Sequence, residues 1–320
     1  MVGVEKVLVT VSIDTECDHD SQWVRSNPLT FRSIHEGLPD RLQPLFTEAG
    51  AIPTYLLTVE VLEDRACVHT LGSMQGKHEF GTHLHAALIE PEKKFQDYAG
   101  VDSPDFQCGY AEHIEYQKMH NLTELFRAGF GYAPTSFRAG RYGASAQSVD
   151  ILQRLGYRVD TSVTPGMKWS EPNATVDFRQ APEQPYFPAR GAISRPAAHW
   201  PDGRILEVPV TVKPRFFRNP RWFRPWFSSV DQMKDIARYH LHKFRHQPVI
   251  VINMMFHSME VIEKASPYPQ TSDDVHRFLE DMHSVLRWCA EEGMQFTALS
   301  DLYQLYESAG QITAVSSTSG

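Results

Sequence analysis

The run Val249–Phe256, VIVINMMF, constrains the fold more than any other segment. It is almost wholly apolar, without the alternation of a strand that faces water on one side. A strand of this kind is buried on both faces, which places it inside a parallel sheet covered by helices. Seven other short apolar runs bounded by turn residues read as strands: Val7–Ile13, Ile52–Thr58, Glu79–His85, Thr135–Arg138, Tyr157–Val163, Ile205–Thr211 and Gln295–Leu299. Helical patterns separate several of them. The clearest is Asp273–Glu292, where Val275, Phe278, Leu279, Met282, Val285, Leu286 and Cys289 share one face and Gly293 stops the helix. Leu122–Ala128 and Ala146–Leu155 are shorter examples. Strands alternating with helices build βαβ units, so the chain is α/β, as a barrel or a doubly wound sheet.

The 320 residues suffice for one large domain, expected over residues 1–310, with the small polar stretch 311–320 as a flexible tail. Pro91–His120 and Pro165–Pro201 read as insertions. A net charge of −8 argues against nucleic acid as a partner, because phosphate binding needs a basic surface. No apolar run reaches the roughly 18 residues of a membrane span. Met1–Lys6 carries none of the features of a secretory leader, so the expected compartment is the cytoplasm. Cysteines at 17, 67, 108 and 289 form no C-x-x-C pair, hence neither a disulfide framework nor a zinc knuckle.

Polar residues suited to chemistry gather at or after the strand ends: Asp14 and Glu16, His83 and His85, Arg138, Asp160, and His257. In (β/α) barrels active sites are built at that end. His83 and His85 fall on the same side of an extended segment, because side chains alternate with period two. Two histidines with a carboxylate leave an open position on zinc, the catalytic arrangement. Asp14, Glu16 and Asp18 likewise share a side if the strand stays extended, so one carboxylate can bind metal while another takes a proton from water. An acidic turn or a helix cap is the plainer reading of the same residues. Cys17 has the opposite phase and reads as a small buried residue. His257 is placed to act as a general acid. Phe216–Phe227, FFRNPRWFRPWF, can stack on sugar, approach a charged head group, or simply anchor the barrel.

At these residues the sequence resembles the polysaccharide deacetylases, the group that includes chitin and peptidoglycan deacetylases. Five segments carry the likeness in order: Ser12-Ile13-Asp14-Thr15-Glu16, Gly81-Thr82-His83-Leu84-His85, Phe137-Arg138-Ala139-Gly140-Arg141-Tyr142, Asp160-Thr161-Ser162-Val163-Thr164-Pro165 and Phe256-His257-Ser258-Met259-Glu260. The resemblance implies a distorted, TIM-barrel-like (β/α) barrel of about seven to eight parallel strands and one divalent metal ion, usually zinc. It implies Asp14 as general base, His257 as general acid, His83 as metal ligand, Arg138 orienting the base and Asp160 tuning the acid. A backbone N–H near Tyr142 would help hold the oxyanion, and Arg141, Tyr142 and Glu260 would meet substrate. The chain departs from the usual pattern twice. The adjacent aspartate pair becomes Asp14-x-Glu16, giving Glu16 as the ligand carboxylate. The second histidine of the metal motif falls on Ala87, so His85 is the substitute ligand.

The implied activity is removal of an N-acyl group, acetyl or formyl, from an amino sugar, fitting cell-surface polysaccharide biosynthesis. Two alternatives stay open: a hydrolase of a non-peptide C–N bond in a small molecule such as a cyclic amide, and a catalytically inactive carbohydrate-binding protein of the same fold.

Overall fold

A computed structural model describes residues 6–93, 105–197 and 205–317. All eight expected strands are present in one parallel sheet. Strand β1 is Lys6–Thr15, β2 Pro53–Leu57, β3 Glu79–Leu84, β4 Ser136–Ala139 and β5 Val159–Asp160. Two hairpins follow, β6 (Lys168–Glu171) with β7 (Ala174–Asp177) and β8 (Pro188–Ala189) with β9 (Ala192–Pro196). Next come β10 (Leu206–Glu207), a third hairpin of β11 (Val212–Arg215) and β12 (Arg218–Trp222), then β13 (Val249–His257) and β14 (Gln295–Phe296). The main sheet runs β10-β5-β4-β3-β2-β1-β13, with β14 also paired to β1. It curls into a distorted barrel.

The sheet's order follows from burial. In β13 every residue from Ile250 to Phe256 is buried, which matches a strand covered on both faces. It pairs with β1 from Lys6↔Val249 to Asp14↔His257, so the last pair in the ladder joins two of the residues singled out above. The gap between β13 and β10 is stitched by one side chain. Asn253 Nδ2 donates to Thr161 Oγ1 at 2.9 Å and to the Val208 carbonyl at 3.2 Å, and its own N–H donates to Thr211 Oγ1 at 2.8 Å. This explains the lone polar residue in the apolar run.

The outer layer holds α1 (Gln43–Ala49), α2 (Val59–Glu63), α3 (Arg65–Ser73), α4 (Glu112–Phe130), α5 (Ala146–Leu155), α6 (Val230–Lys243), α7 (Ser272–Glu291) and α8 (Leu299–Ser317). Helix α7 starts where Thr271 Oγ1 accepts the Asp274 N–H, and it stops at Gly293, whose φ of 78° is costly for residues with a Cβ. The helical pattern at Leu122–Ala128 proves to be the C-terminal part of the longer α4, so the end of the expected insertion Pro91–His120, from Glu112 on, is regular helix. Residues 94–104 of that segment and 198–201 of Pro165–Pro201 lie outside the described residues. Helix α8 continues past Gly310 to Ser317, and the end of the expected tail, 318–320, also lies outside them. All four cysteines are free. Among the described residues no helix is long and apolar enough to cross a membrane.

Candidate active site

The C-terminal ends of β1, β3, β4 and β13 meet at a cavity of about 420 Å³, lined among others by Asp14, Glu16, His83, His85, Tyr142 and His257. Strand geometry fixes the approach of these groups. Asp14 ends the β1 ladder against His257, and His83 pairs in register with Arg138 on β4. Glu16 lies just past β1, where its N–H donates to Ser258 Oγ at 3.2 Å.

Each histidine presents Nε2 to the cavity because its other nitrogen is occupied. His83 Nδ1 donates to the Arg138 carbonyl at 3.0 Å, which leaves Nε2 as the lone-pair nitrogen of the neutral ring. His85 Nδ1 donates to Asp105 Oδ2 at 2.5 Å. His257 Nδ1 donates to Glu260 Oε1 at 2.8 Å, an oxygen that also accepts from Arg224 Nη2 at 2.6 Å. The three Nε2 atoms converge on Glu16 Oε1 at 3.6 Å from His83, 3.6 Å from His85 and 3.9 Å from His257. Asp14 Oδ2 lies 3.7 Å from His83 Nε2 and 3.9 Å from His257 Nε2.

Glu16, His83 and His85 offer ligand atoms all within 4.8 Å of one another. The set fits a divalent ion. The spacing is close to that between ligands of one tetrahedral centre with bonds of about 2.0–2.2 Å. Both imidazoles are held by a bond at Nδ1, as metal-binding histidines are. Nitrogen and oxygen donors together suit zinc. Burial opposes charge on Glu16, and the imidazoles of His85 and His83 with the Arg25 guanidinium override it, so its carboxyl lies well below the usual range. A second group, His35, Asp64 and Cys67, also has ligand-type atoms close together. There burial pushes the thiol above its usual range, and Asp64 is engaged in capping α3 through the Cys67 N–H at 2.8 Å.

Asp14 is held ionised against burial. Desolvation raises its carboxyl, and the Arg138 guanidinium, then His83 and His257, bring it below the ordinary value. Arg138 is completely buried: Nη1 donates to Asp14 Oδ1 at 2.5 Å, Nη2 to Ser12 Oγ at 2.5 Å, and Nε to the Thr161 carbonyl at 3.0 Å. One oxygen of Asp14 is thereby taken, and Oδ2 is the one that faces the histidines.

Three sequence expectations differ from what is seen. Asp160 is not beside His257. Its Oδ1 accepts from Ser162 Oγ at 2.5 Å, it is paired across the sheet with Glu207, and it is absent from the cavity wall. Position beside the His257 ring belongs to Glu260 and not to Asp160. Glu260 in turn is fully buried and committed to His257 and Arg224, so it does not meet a ligand directly. Asp18 turns away, because β1 ends at Thr15 and the Asp18 carboxylate accepts from the N–H groups of Arg32 and Ser33 at 2.7 and 3.0 Å. Cys17 is buried, as its phase indicated. Arg141 stands at the cavity mouth, 59% exposed, and pairs with Glu171 at 2.8 Å.

The sequence reading did not find Asp105 and Arg25, and it included Arg224 only as part of the run Phe216–Phe227, without a role at the site. Arg25 Nη2 donates to Glu16 Oε2 at 3.1 Å, leaving Oε1 toward the histidines. Asp105 also accepts weakly from the Ala87 N–H at 3.5 Å, so the position without the usual histidine still contributes a backbone donor. None of the three lies at a strand end, the signal the sequence reading relied on. Gly140 completes the wall: a Cβ there would lie 2.6 Å from the Leu84 carbonyl and 3.0 Å from His85 Nδ1. Only glycine lets β4 pass that close to the histidine.

No family model matches the sequence, and no curated protein matches it. Solved structures do match. One described as a polysaccharide deacetylase from Mycobacterium smegmatis aligns over 95% of this chain and 91% of its own, with a TM-score of 0.55 at 14% identity. The chain has the polysaccharide deacetylase fold. One described as a glycoside hydrolase/deacetylase from Parabacteroides distasonis aligns over 96% of this chain and 73% of its own, with a TM-score of 0.65 at 12% identity. An allantoinase covers 95% and 91%, with a TM-score of 0.54 at 12% identity. At these identities the likeness establishes the deacetylase fold, while the chemistry has to be read from the cavity.

Proposed function

We propose that this protein is a metal-dependent hydrolase that removes an N-acyl group, acetyl or formyl, from an amino sugar. The observation that carries the reading is the convergence of three Nε2 atoms and two ionised carboxylates on one cavity, each histidine fixed from behind. Glu16, His83 and His85 would hold the ion, zinc by donor type, which supplies Lewis-acid polarisation of the amide carbonyl and a lowered pKa for water. Asp14 takes the proton of the attacking water at Oδ2, while Arg138 keeps Oδ1 and so fixes the orientation of the base. His257 delivers a proton from Nε2 to the departing amine, without which the amine is too poor a leaving group. Glu260 holds the ring by Nδ1 and stabilises the imidazolium that the acid requires. The backbone N–H of Tyr142 is the oxyanion donor, in a turn where Arg141 and Tyr142 have φ of 49° and 61°. Tyr142, stacked on Trp169 at 5.7 Å, and Trp23, packed against His257 at 5.1 Å, offer faces for a sugar ring.

The direct test is release of acetate or formate from a panel of N-acyl amino sugars, beside elemental analysis of the purified protein. One zinc-like ion per chain, absent from His83→Ala, with turnover on at least one sugar, supports the assignment. Metal with turnover only on cyclic amides favours the second reading, to which the allantoinase likeness gives weight. Protein that takes up no metal even when zinc is supplied is a binding protein of the same fold.

A further inference from the structure

The segment from Val208 to Val230 contains Lys213, Arg215, Arg218, Arg221 and Arg224 and not one acidic residue, in a chain of net charge −8. It forms the β11–β12 hairpin, and at its tip stand Phe216 and Phe217, 87% and 97% exposed. Phe217 has a φ of 54°, and Arg215 Nε closes the turn on the Asn219 carbonyl at 2.8 Å. The hairpin is therefore a defined finger that carries two aromatic rings into solvent, and its base is tied to the cavity. Trp222 packs on Tyr142 at 5.8 Å and on Trp169 at 6.4 Å, and Arg224 lines the cavity itself. Of the five large hydrophobic side chains exposed among the described residues, Trp23 and Phe227 both pack on Tyr268 at the cavity rim, and Phe216 and Phe217 form the finger tip. Four of the five exposed aromatics thus lie at the cavity rim or on the finger whose base is tied to it; the fifth, Tyr132, stands apart in the turn between α4 and β4.

We propose that this finger docks the protein on an anionic phospholipid bilayer. Phe216 and Phe217 enter the interfacial layer, and Arg215, Arg218 and Arg221 meet the lipid phosphates. Two features select a membrane over a protein partner. A pair of rings on a narrow turn makes a wedge with little flat area, whereas a stable protein interface needs about 800 Å² from each side. An acidic protein is repelled by an anionic leaflet unless the approaching face is locally basic, and the acid-free stretch supplies that face. Lys213 is paired with Asp235 at 2.7 Å and adds less. Taken with the hydrolase reading, on which this last step rests, the cavity mouth is held at the lipid surface and the substrate is an amino sugar carried on a lipid.

The test is flotation of the purified full chain with phosphatidylcholine vesicles, with and without phosphatidylglycerol, in the absence of any sugar. The wild type is expected to float with the phosphatidylglycerol vesicles and to detach as salt is raised. Phe216→Ser with Phe217→Ser should weaken binding on the order of tenfold or more. Arg215→Gln with Arg218→Gln should weaken it by roughly tenfold or more on anionic vesicles. The phenylalanine double variant should keep wild-type metal content and wild-type hydrolysis of a water-soluble N-acyl sugar. Absence of binding to anionic vesicles, or equal binding by the phenylalanine variant, overturns the proposal. So does a self-association that the phenylalanine variant abolishes while vesicles are ignored, since the tip is then a protein interface. Because flotation uses no substrate, failure of the hydrolase reading leaves this result intact, and failure here leaves the hydrolase reading intact.

Discussion

Two pairs of carboxylates sit in the same barrel with nearly the same burial and opposite pKa shifts. Asp14 and Glu16, 3% and 4% exposed, are surrounded by Arg138, Arg25 and three imidazoles, and both are held below their ordinary values. Asp160 and Glu207, each 0% exposed, face one another across the β5–β10 pairing. Burial raises both, most strongly Glu207, where the neighbouring Asp160 charge adds to it, and Arg138 only partly offsets the shift. Both members of this second pair are therefore shifted toward the protonated form. Burial alone therefore does not decide whether a carboxyl is charged; the cations touching it do. In one chain the first pair is prepared to accept a proton and to hold a cation, and the second, shifted toward protonation, braces the sheet behind Arg138.

The comparison is broken most severely by an acid-to-amide change in the first pair. Asp14→Asn should retain bound metal and lose about 10²–10⁴-fold in turnover, because the amide keeps the bond to Arg138 and cannot take a proton. Turnover on the substrate found in the panel, with metal measured on the same sample, checks this. If Asp14→Asn comes out empty of metal, Asp14 is the ligand and Glu16 the base.

Removal of the cation tests the cause of the first pair's ionisation. Arg138→Met leaves Asp14 and Ser12 without the guanidinium and should cost about 3–5 kcal/mol in chemical denaturation, as removal of one partner from a buried pair does. The sign of its pH effect follows. Asp14 has a depressed folded pKa, so its stabilisation is present above the unfolded pKa of about 3.9 and is lost as pH falls through the folded value. Without Arg138 that value rises, so the acid limb of the turnover profile should move to higher pH. An unmoved limb would give the orienting role to another group.

The strands were legible because their signal is local. A run such as VIVINMMF, short, apolar and rich in β-branched residues, reads as a doubly covered strand, and Asp14, His83, Arg138 and His257 were singled out because strand ends converge on one face of such a sheet. What the sequence did not reveal depends on long-range packing. Asp105 reaches His85 from within the Pro91–His120 insertion, and Arg25 reaches Glu16 from a loop with no periodicity. Glu260 was visible, three residues after His257, yet its role follows from the capping turn that folds its carboxylate back under the imidazole. Asp160 was misplaced for the converse reason. A two-residue strand, β5, turns its side chain to Glu207, a partner 47 positions away whose presence no local pattern announces.

The smallest effect belongs to the same chemical change in the second pair. Glu207→Gln keeps an acceptor for the Val163 N–H, which lies 3.0 Å from Oε1, and supplies an N–H where the retained proton lies. Stability at neutral pH should therefore change by no more than about 1 kcal/mol in either direction. The pH dependence is the sharper readout. A raised folded pKa means that the native state keeps a proton which the unfolded chain releases above about pH 4.3. Glu207 therefore makes stability fall as pH rises from there toward the folded value, and the amide removes that contribution to the slope. Denaturant titrations of both proteins across this window measure it directly. A large loss in Glu207→Gln with the slope unchanged would mean that the pair is ionised and that a cation compensates it, and the contrast with Asp14 and Glu16 would then fail. A shallower fall for the variant than for the wild type shows that two equally buried pairs are shifted in opposite directions.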